Sequence, residues 1–227
     1  MNPNKQSANI YLSPSWSLVS KNIELLRLRV EQVTIIFILP ALAFGLGDIL
    51  LSSHKIAGLF ISFIGGIWWI LSIGASYFLQ VSATKGKLIS SVDCYKNSWK
   101  YIVRIIIFTF IFTIMVIAGL ILLIIPGLII IRRYILTPYY IVDQNLPIRK
   151  AMDLSSDQTK PVSGYVWGTI GVVFTLEIII VIVSMFFVAI PGATTIISTL
   201  LSPVFFFLFA IRYREITKLP KSAEVSV

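Results

Sequence analysis

The chain has 227 residues, 57% of them hydrophobic and only 13% charged, with a formal net charge of +9 and a mean hydropathy of +0.90. That balance excludes an ordinary soluble domain and points to a single membrane-embedded unit. A lone cysteine, Cys94, excludes an internal disulfide framework. The basic residues flank apolar runs, so anionic lipid headgroups rather than nucleic acid are the expected counter-charge.

In chain order, residues 1–13 read as a polar tail without a cleavable signal peptide, so the first apolar run is expected to insert and stay. Ser13-Pro14 offers a cap and a proline for the first position of a helix whose apolar residues Trp16, Val19, Ile23, Leu26 and Val30 recur at helical spacing. Gln32–Leu51 and Ile56–Val81 follow, each long enough for a ~30 Å hydrocarbon core, which takes about 20 residues. Leu88, Val92, Tyr95 and Trp99 mark a second amphipathic stretch, and Tyr101–Ile125 a third span. Leu128–Val142 is short and contains Arg132 and Arg133. It reads as a short span, with a segment that dips in and returns as the alternative. A third amphipathic helix begins at Pro147, with Ile148, Ala151, Met152 and Leu154 on its apolar side and an Arg149–Asp153 pair opposite. Val162–Ile190 and Ala193–Ile211 complete the spans, and residues 214–227 form a second polar tail.

One pattern recurs. Ile125-Pro126-Gly127 precedes Thr137-Pro138, and Ile190-Pro191-Gly192 precedes Ser202-Pro203, offset by 65 residues at each match (126 to 191, 138 to 203). A weaker copy has Gly65-Gly66 followed by Ser76-Tyr77. The predicted fold is therefore all-α: an integral-membrane six-helix bundle of three hairpins (units 14–81, 84–142 and 146–213), each preceded by an amphipathic cytoplasmic helix. Proline disfavours helix at the residue before it and glycine tolerates a tight reversal, so Pro126-Gly127 and Pro191-Gly192 are predicted to be the outer turns. Pro138 and Pro203 should kink their helices, with Thr137 and Ser202 bonding a carbonyl thereby set free. Such kinks give bent packing or, alternatively, a hinge or a lined cavity. The amphipathic helices anchor the bundle at the headgroups or dock a partner.

Ionisable residues at membrane depth are costly and often functional. Glu177, Arg132 and Arg133 are the candidates. A buried pair between Glu177 and one of the arginines is the economical arrangement. A protonated Glu177 moving ions or protons, or arginines snorkelling to headgroups, are the alternatives. Asp48, His54 and Lys55 read as interfacial residues, and Cys94 as an inert thiol or a palmitoylation site. His54, the one histidine, has no cluster of metal-ligand spacing around it, and no nucleophile–base pair or phosphate-binding glycine loop is visible. No cofactor, metal or nucleic-acid partner is implied.

The stretch from Leu120 to Tyr165 carries an Ile-Pro-Gly turn, an aromatic-rich span with Arg132 and Arg133, a Val142-Asp143 exit, and a helix with Ala151 and Ser155 before Thr159-Lys160. It resembles the membrane domain of some bacterial glycerophosphoryl diester phosphodiesterases and of related uncharacterised multi-pass proteins. Pro161 stands where glycine is usual, and Asp143-Gln144 replaces the usual acidic pair. The resemblance covers about a fifth of the chain at its core, and its motifs are architectural. This chain carries no counterpart of the catalytic domain, so the resemblance does not imply the phosphodiesterase activity. It implies a bacterial multi-pass protein of the cytoplasmic membrane. Two functions fit: a non-enzymatic scaffold that binds membrane lipids or another membrane protein through its cytoplasmic helices, or a small transporter or lipid-moving protein with a polar cavity between the hairpins.

Most of the 19 Lys and Arg residues fall in the tails and in the loops that share a side with them, whereas Lys55 stands alone in the opposite loops. The positive-inside bias therefore places both ends in the cytoplasm. In a Cys94→Ser background, Ser53→Cys should be labelled by an impermeant maleimide from outside and Ser222→Cys only after permeabilisation. External labelling at position 222 would overturn this topology.

Overall fold

The structure, a computed structural model, describes residues 12–51, 54–186, 197 and 199–218. Among the described residues there are helices and no strands. In order they are α1 (Ser17–Leu28), α2 (Val30–Leu51), α3 (Lys55–Thr84), α4 (Ser91–Leu122), α5 (Ile124–Tyr134), α6 (Thr137–Gln144), α7 (Ile148–Thr159), α8 (Ser163–Met185) and α9 (Leu208–Thr217). Five stretches among the described residues are long and apolar enough to cross a membrane: α2, α3, α4, α5 with α6 as Ile124–Gln144, and α8. Of the predicted sixth span, 193–211, residues 197 and 199–211 are described, and helix there is interrupted at 202–207 before it resumes at Leu208; Pro191 and Gly192 lie outside the described residues.

Each helix end has a local cause. The helix α1 starts at Ser17, later than the Ser13-Pro14 signal predicts, because Pro14 and Ser15 first form a turn with Ser17 and Leu18. Within α2, Pro40 has no N–H to offer Ile36, and the preceding turn, Thr34–Ile38, widens to π geometry with Leu39 N–H donating to the Thr34 carbonyl. The end of α3 is a Schellman motif. Lys87 N–H donates to Ser82 O and Gly86 N–H to Ala83 O, and Gly86 adopts a φ of +73° that a side chain would strain. Ser90 and Asp93 cap α4 reciprocally: the Asp93 N–H donates to Ser90 Oγ (3.2 Å) and Ser90 Oγ donates to the carboxylate (2.9 Å). Asn145, left-handed at φ 54°, ends α6. Arg104 reaches across from α4 to donate to Asn145 Oδ1 (2.7 Å) and to the Leu146 carbonyl (3.0 Å).

Three expectations change here. The second amphipathic stretch is not a separate surface helix. It is continuous with the third span in the 32-residue α4, about 48 Å long at 1.5 Å per residue and thus longer than a hydrocarbon core of ~30 Å. No cap or glycine separates the two halves, so the helix propagates. The reversal between α4 and α5 falls at the extended residue Leu123 (φ −164°, ψ 136°), while Pro126 and Gly127 lie in the first turn of α5, where a missing N–H costs no hydrogen bond. Gly127 serves close approach rather than chain reversal: a Cβ on Gly119 would sit 2.8 Å from Gly127 Cα and 2.9 Å from its nitrogen. The 137–138 step does more than kink the fourth run. The chain leaves helix at Ile135 and Leu136 and restarts as α6 with Pro138 in its opening turn. Pro203 likewise opens a short 3-10 turn, Ser202–Phe205, ahead of α9.

The helices α2 and α3 lie along each other, as do α4 and α5. Gly74 lets α4 cross α3, with Ser98 and Ile102 in ordinary contact with the place a Cβ would take. One apolar cluster surrounds α6 with Val81, Ile105, Phe108, Ala151, Val166 and Ala210. A second joins α1, α2, α3 and the 3-10 turn through Leu18, Val33, Ile36, Leu79 and Phe207. The α4–α5 tip is the converse: Ile121, Leu122, Leu123, Ile124 and Ile125 are all exposed.

Gly119→Val should lower stability in detergent by about 1–3 kcal/mol, because the added methyls meet backbone rather than a movable side chain. Gly171→Ala on α8 faces open space and should be neutral or stabilising by up to about 1 kcal/mol. A wild-type thermal midpoint for Gly119→Val would show that the helices do not approach as described.

Candidate functional site: the polar layer at the basic end of the bundle

The ends of α1, α3, α6 and α9 meet in a layer of tyrosines and charged groups. Tyr139 is buried and donates to Gln80 Oε1 on α3 at 2.7 Å. Its ring meets Tyr77 edge-on and stacks on Tyr213 of α9, with centroids 5.3 and 5.6 Å away. Tyr140, fully buried, packs edge-on against Tyr213 at 4.8 Å and donates to Gln158 on α7. The Tyr213 hydroxyl donates to Asp143 Oδ2 at 2.8 Å, and Lys85, just past α3, binds the other carboxylate oxygen. Burial pushes the Tyr213 phenol well up, and the Asp143 charge adds to it, so the phenol stays a donor throughout the physiological range.

Beside this lies Arg212, the largest fully buried side chain. Its Nε donates to Thr169 Oγ1 on α8 (2.9 Å), Nη1 to Glu215 (2.8 Å), and Nη2 to the Ser13 carbonyl (3.0 Å) and Ser15 Oγ (3.3 Å). Lys21 of α1 closes the network on Glu215 at 2.9 Å and on Ser13 Oγ at 2.6 Å. Asn22 completes the seam by accepting from the Phe207 N–H at 2.7 Å, in the break that Pro203 makes before α9. The α1 segment is thus bolted to the bundle by polar side chains, and its predicted apolar stripe is split, with Val19 and Leu26 packed against the second apolar cluster. Leu18 and Asn22 are buried, whereas Trp16, Ile23 and Val30 are exposed. Leu88, in the connection before α4, and Val92 and Trp99 of α4 are exposed as well, whereas Tyr95 is half-buried and its hydroxyl accepts from Trp68 Nε1 at 3.0 Å. In α7 the predicted face is the packed one, with Ala151 buried and Ile148, Met152 and Leu154 against the core.

The predicted membrane-depth site does not assemble. Glu177 is exposed on α8 and makes no ion pair among the described residues. It shares its face with the exposed Phe174, Ile178 and Val181, so the helix is turned with the carboxylate outward. Arg133 is exposed, and its carbonyl accepts from Ser155 Oγ at 2.7 Å. Arg132 is half-buried, with its Nε buried and without a hydrogen-bond partner. The buried Thr137 hydroxyl also lacks one, against the expectation that it would bond a freed carbonyl. Among the described residues no three His, Cys, Asp or Glu side chains gather as a metal site would need. Cys94 is a fully buried free thiol. Sequence reasoning counted Arg212 and Arg29 only as flanking charge. Their burial had no signal beyond the polar residues, Thr169, Asn22 and Ser15, placed in otherwise apolar or amphipathic segments.

Comparison with protein-family models, with curated proteins and with solved structures returned no match.

What this arrangement does chemically is hold helices. Arg212→Ala leaves the buried Thr169 hydroxyl and the Ser13 carbonyl without their donor and opens a cavity, while Glu215 keeps Lys21, and should cost on the order of 2–4 kcal/mol. Glu177→Gln should change stability by less than about 0.5 kcal/mol, as for other outward positions. Thermal unfolding of both variants in one detergent checks the contrast. A larger loss for Glu177→Gln than for Arg212→Ala would reverse the assignment.

Proposed function

We propose that the chain is a six-span bacterial membrane protein with both ends in the cytoplasm, acting as a non-enzymatic scaffold that binds lipid or another membrane protein. The observation that carries this reading is the outward apolar surface at the basic end. Trp16, Ile23, Leu28, Val30, Leu88, Val92 and Trp99 are exposed close in sequence to the exposed basic residues Lys96 and Lys100. Exposed apolar and aromatic side chains beside lysines suit the headgroup boundary, where the rings enter the interface and the cations meet anionic lipid. The polar residues of the layer, in contrast, are engaged with one another, which suits a framework rather than a reacting site. The resemblance to phosphodiesterase membrane domains supports the same reading, as a membrane unit separate from any catalysis. The transporter reading draws on one observation, the unpartnered Nε of Arg132 within a candidate span.

Purification in mild detergent, with identification of co-purifying lipids and proteins, tests the scaffold. Enrichment of an anionic lipid or a defined protein partner is the expected result, reduced at least severalfold when Lys96, Lys100, Arg149 and Lys150 are all changed to Gln. Solute or lipid flux in proteoliposomes above that of empty vesicles, abolished by Arg132→Gln, would replace the scaffold with the transporter.

A further inference from the structure

Arg29 is 4% exposed and stands immediately before Val30, where α2 begins. A guanidinium removed from water needs both hydrogen-bond acceptors and a counter-charge. Arg29 has one acceptor, the Lys87 carbonyl at 2.6 Å from Nη2. Its Nε and Nη1 are buried and have none, and no carboxylate pairs with it among the described residues. The acids nearest in sequence point elsewhere. Glu31 is exposed, and Asp93 is exposed with its carboxylate on Ser90. Water would satisfy the N–H groups but not the charge.

The surroundings are those of an anion site. Arg29 bridges to the 85–87 turn, which lies a short connection before the first turn of α4. That first turn holds Ser91, whose hydroxyl is buried and unpartnered. The N-terminus of α4 itself is already capped by Ser90 and carries the Asp93 carboxylate in its first turn, so the donors left for an anion are side chains. Lys87 is exposed, and Gly86 leaves open space beside it. The rim, by contrast, is apolar: Leu28 and Val30 flank Arg29, Leu88 follows Lys87, Val92 follows Ser91, and all four are exposed. A polar anion alone has no use for such a rim, whereas a phosphate carrying acyl chains does.

We infer that Arg29, with Ser91 and Lys87, binds the phosphate of an anionic phospholipid, whose chains lie against Leu28, Val30, Leu88 and Val92. The inference rests on the lipid-binding reading above and gives that reading one specific site. Arg29 supplies a fork of donors to the phosphate oxygens, Ser91 Oγ a third, and Lys87 favours a headgroup with net negative charge over a zwitterionic one.

The test uses the full chain in mild detergent, titrated with phosphatidylglycerol, with phosphatidylcholine and with inorganic phosphate. Bound species are read by native mass spectrometry and stability by thermal midpoint. Wild type should retain one phosphatidylglycerol through delipidation and rise in midpoint as it is added, with phosphatidylcholine weaker. Arg29→Gln should weaken retention about tenfold, and Arg29→Lys and Lys87→Gln by less, while Lys160→Gln on the opposite connection leaves it unchanged. Should Arg29→Gln fail to fold, Ser91→Ala and Lys87→Gln, which keep the arginine, should each weaken retention measurably, by less than about tenfold. A midpoint that rises with inorganic phosphate as much as with phosphatidylglycerol would overturn the lipid as source. Equal retention in wild type and all site variants would overturn the site while leaving lipid binding through the basic surface intact. No lipid retained by any protein would overturn both.

Discussion

From Leu136 to Val142 every side chain is buried, so the phenols of Tyr139 and Tyr140 have no water to turn to and must find partners inside the protein. A buried donor left unsatisfied costs roughly 1–3 kcal/mol. The acceptors come from three directions: Gln80 on α3, Gln158 on α7 and, through Tyr213, Asp143 at the end of α6 itself. Each of these bonds fixes the rotation of a helix as well as its position. The bundle therefore has a polar register at one end, and the apolar packing that continues from it inherits that alignment.

The same logic runs through Arg212. Its four bonds tie α9 to α8 and to the segment before α1, while Asn22 holds the chain between the 3-10 turn and α9. Proline made this necessary, since the breaks at Pro138 and Pro203 free backbone groups and interrupt two helices. Restarting a helix at such a break lets α6 and α9 leave the direction of the segments before them. At the other end of the molecule the contacts are of another kind. Gly119 and Gly127 bring α4 and α5 into backbone contact, and the tip they support is wholly aliphatic and exposed. Packing there depends on small residues and surface shape, as it does between helices in hydrocarbon.

Charge follows this division. The ion pairs among the described residues, Lys21–Glu215, Lys85–Asp143 and Arg212–Glu215, all lie in the polar layer. Arg29 stands apart from them, nearly as buried as Arg212 but without an acid among the described residues, which is why its surroundings read as a place for an anion brought from outside. Glu177 stands apart in the opposite sense. It sits on an outward helix face with no cation near enough to pair among the described residues, so its depth in the sequence did not translate into a role in the bundle interior.

The helices and their apolar lengths were legible in the sequence because both follow from local pattern: long runs without charge and prolines that interrupt them. The helical spacing of Trp16, Val19, Ile23, Leu26 and Val30 was equally legible, but not that Val19 and Leu26 would pack inward while Trp16, Ile23 and Val30 face out, because a stripe facing lipid and a stripe facing a core have the same periodicity. The merger of the second amphipathic stretch with the third span, the placement of the reversal at Leu123, and the failure of Glu177 to meet Arg132 or Arg133 depend on helix rotation and crossing, which no local pattern specifies. By itself, then, the sequence determined an all-helical chain able to cross a membrane several times with its basic residues gathered on one side. Only the tertiary structure decided which charges are buried. That choice depends on partners such as Thr169 with Arg212, or on their absence around Arg29, and such partners are brought together only when distant helices pack.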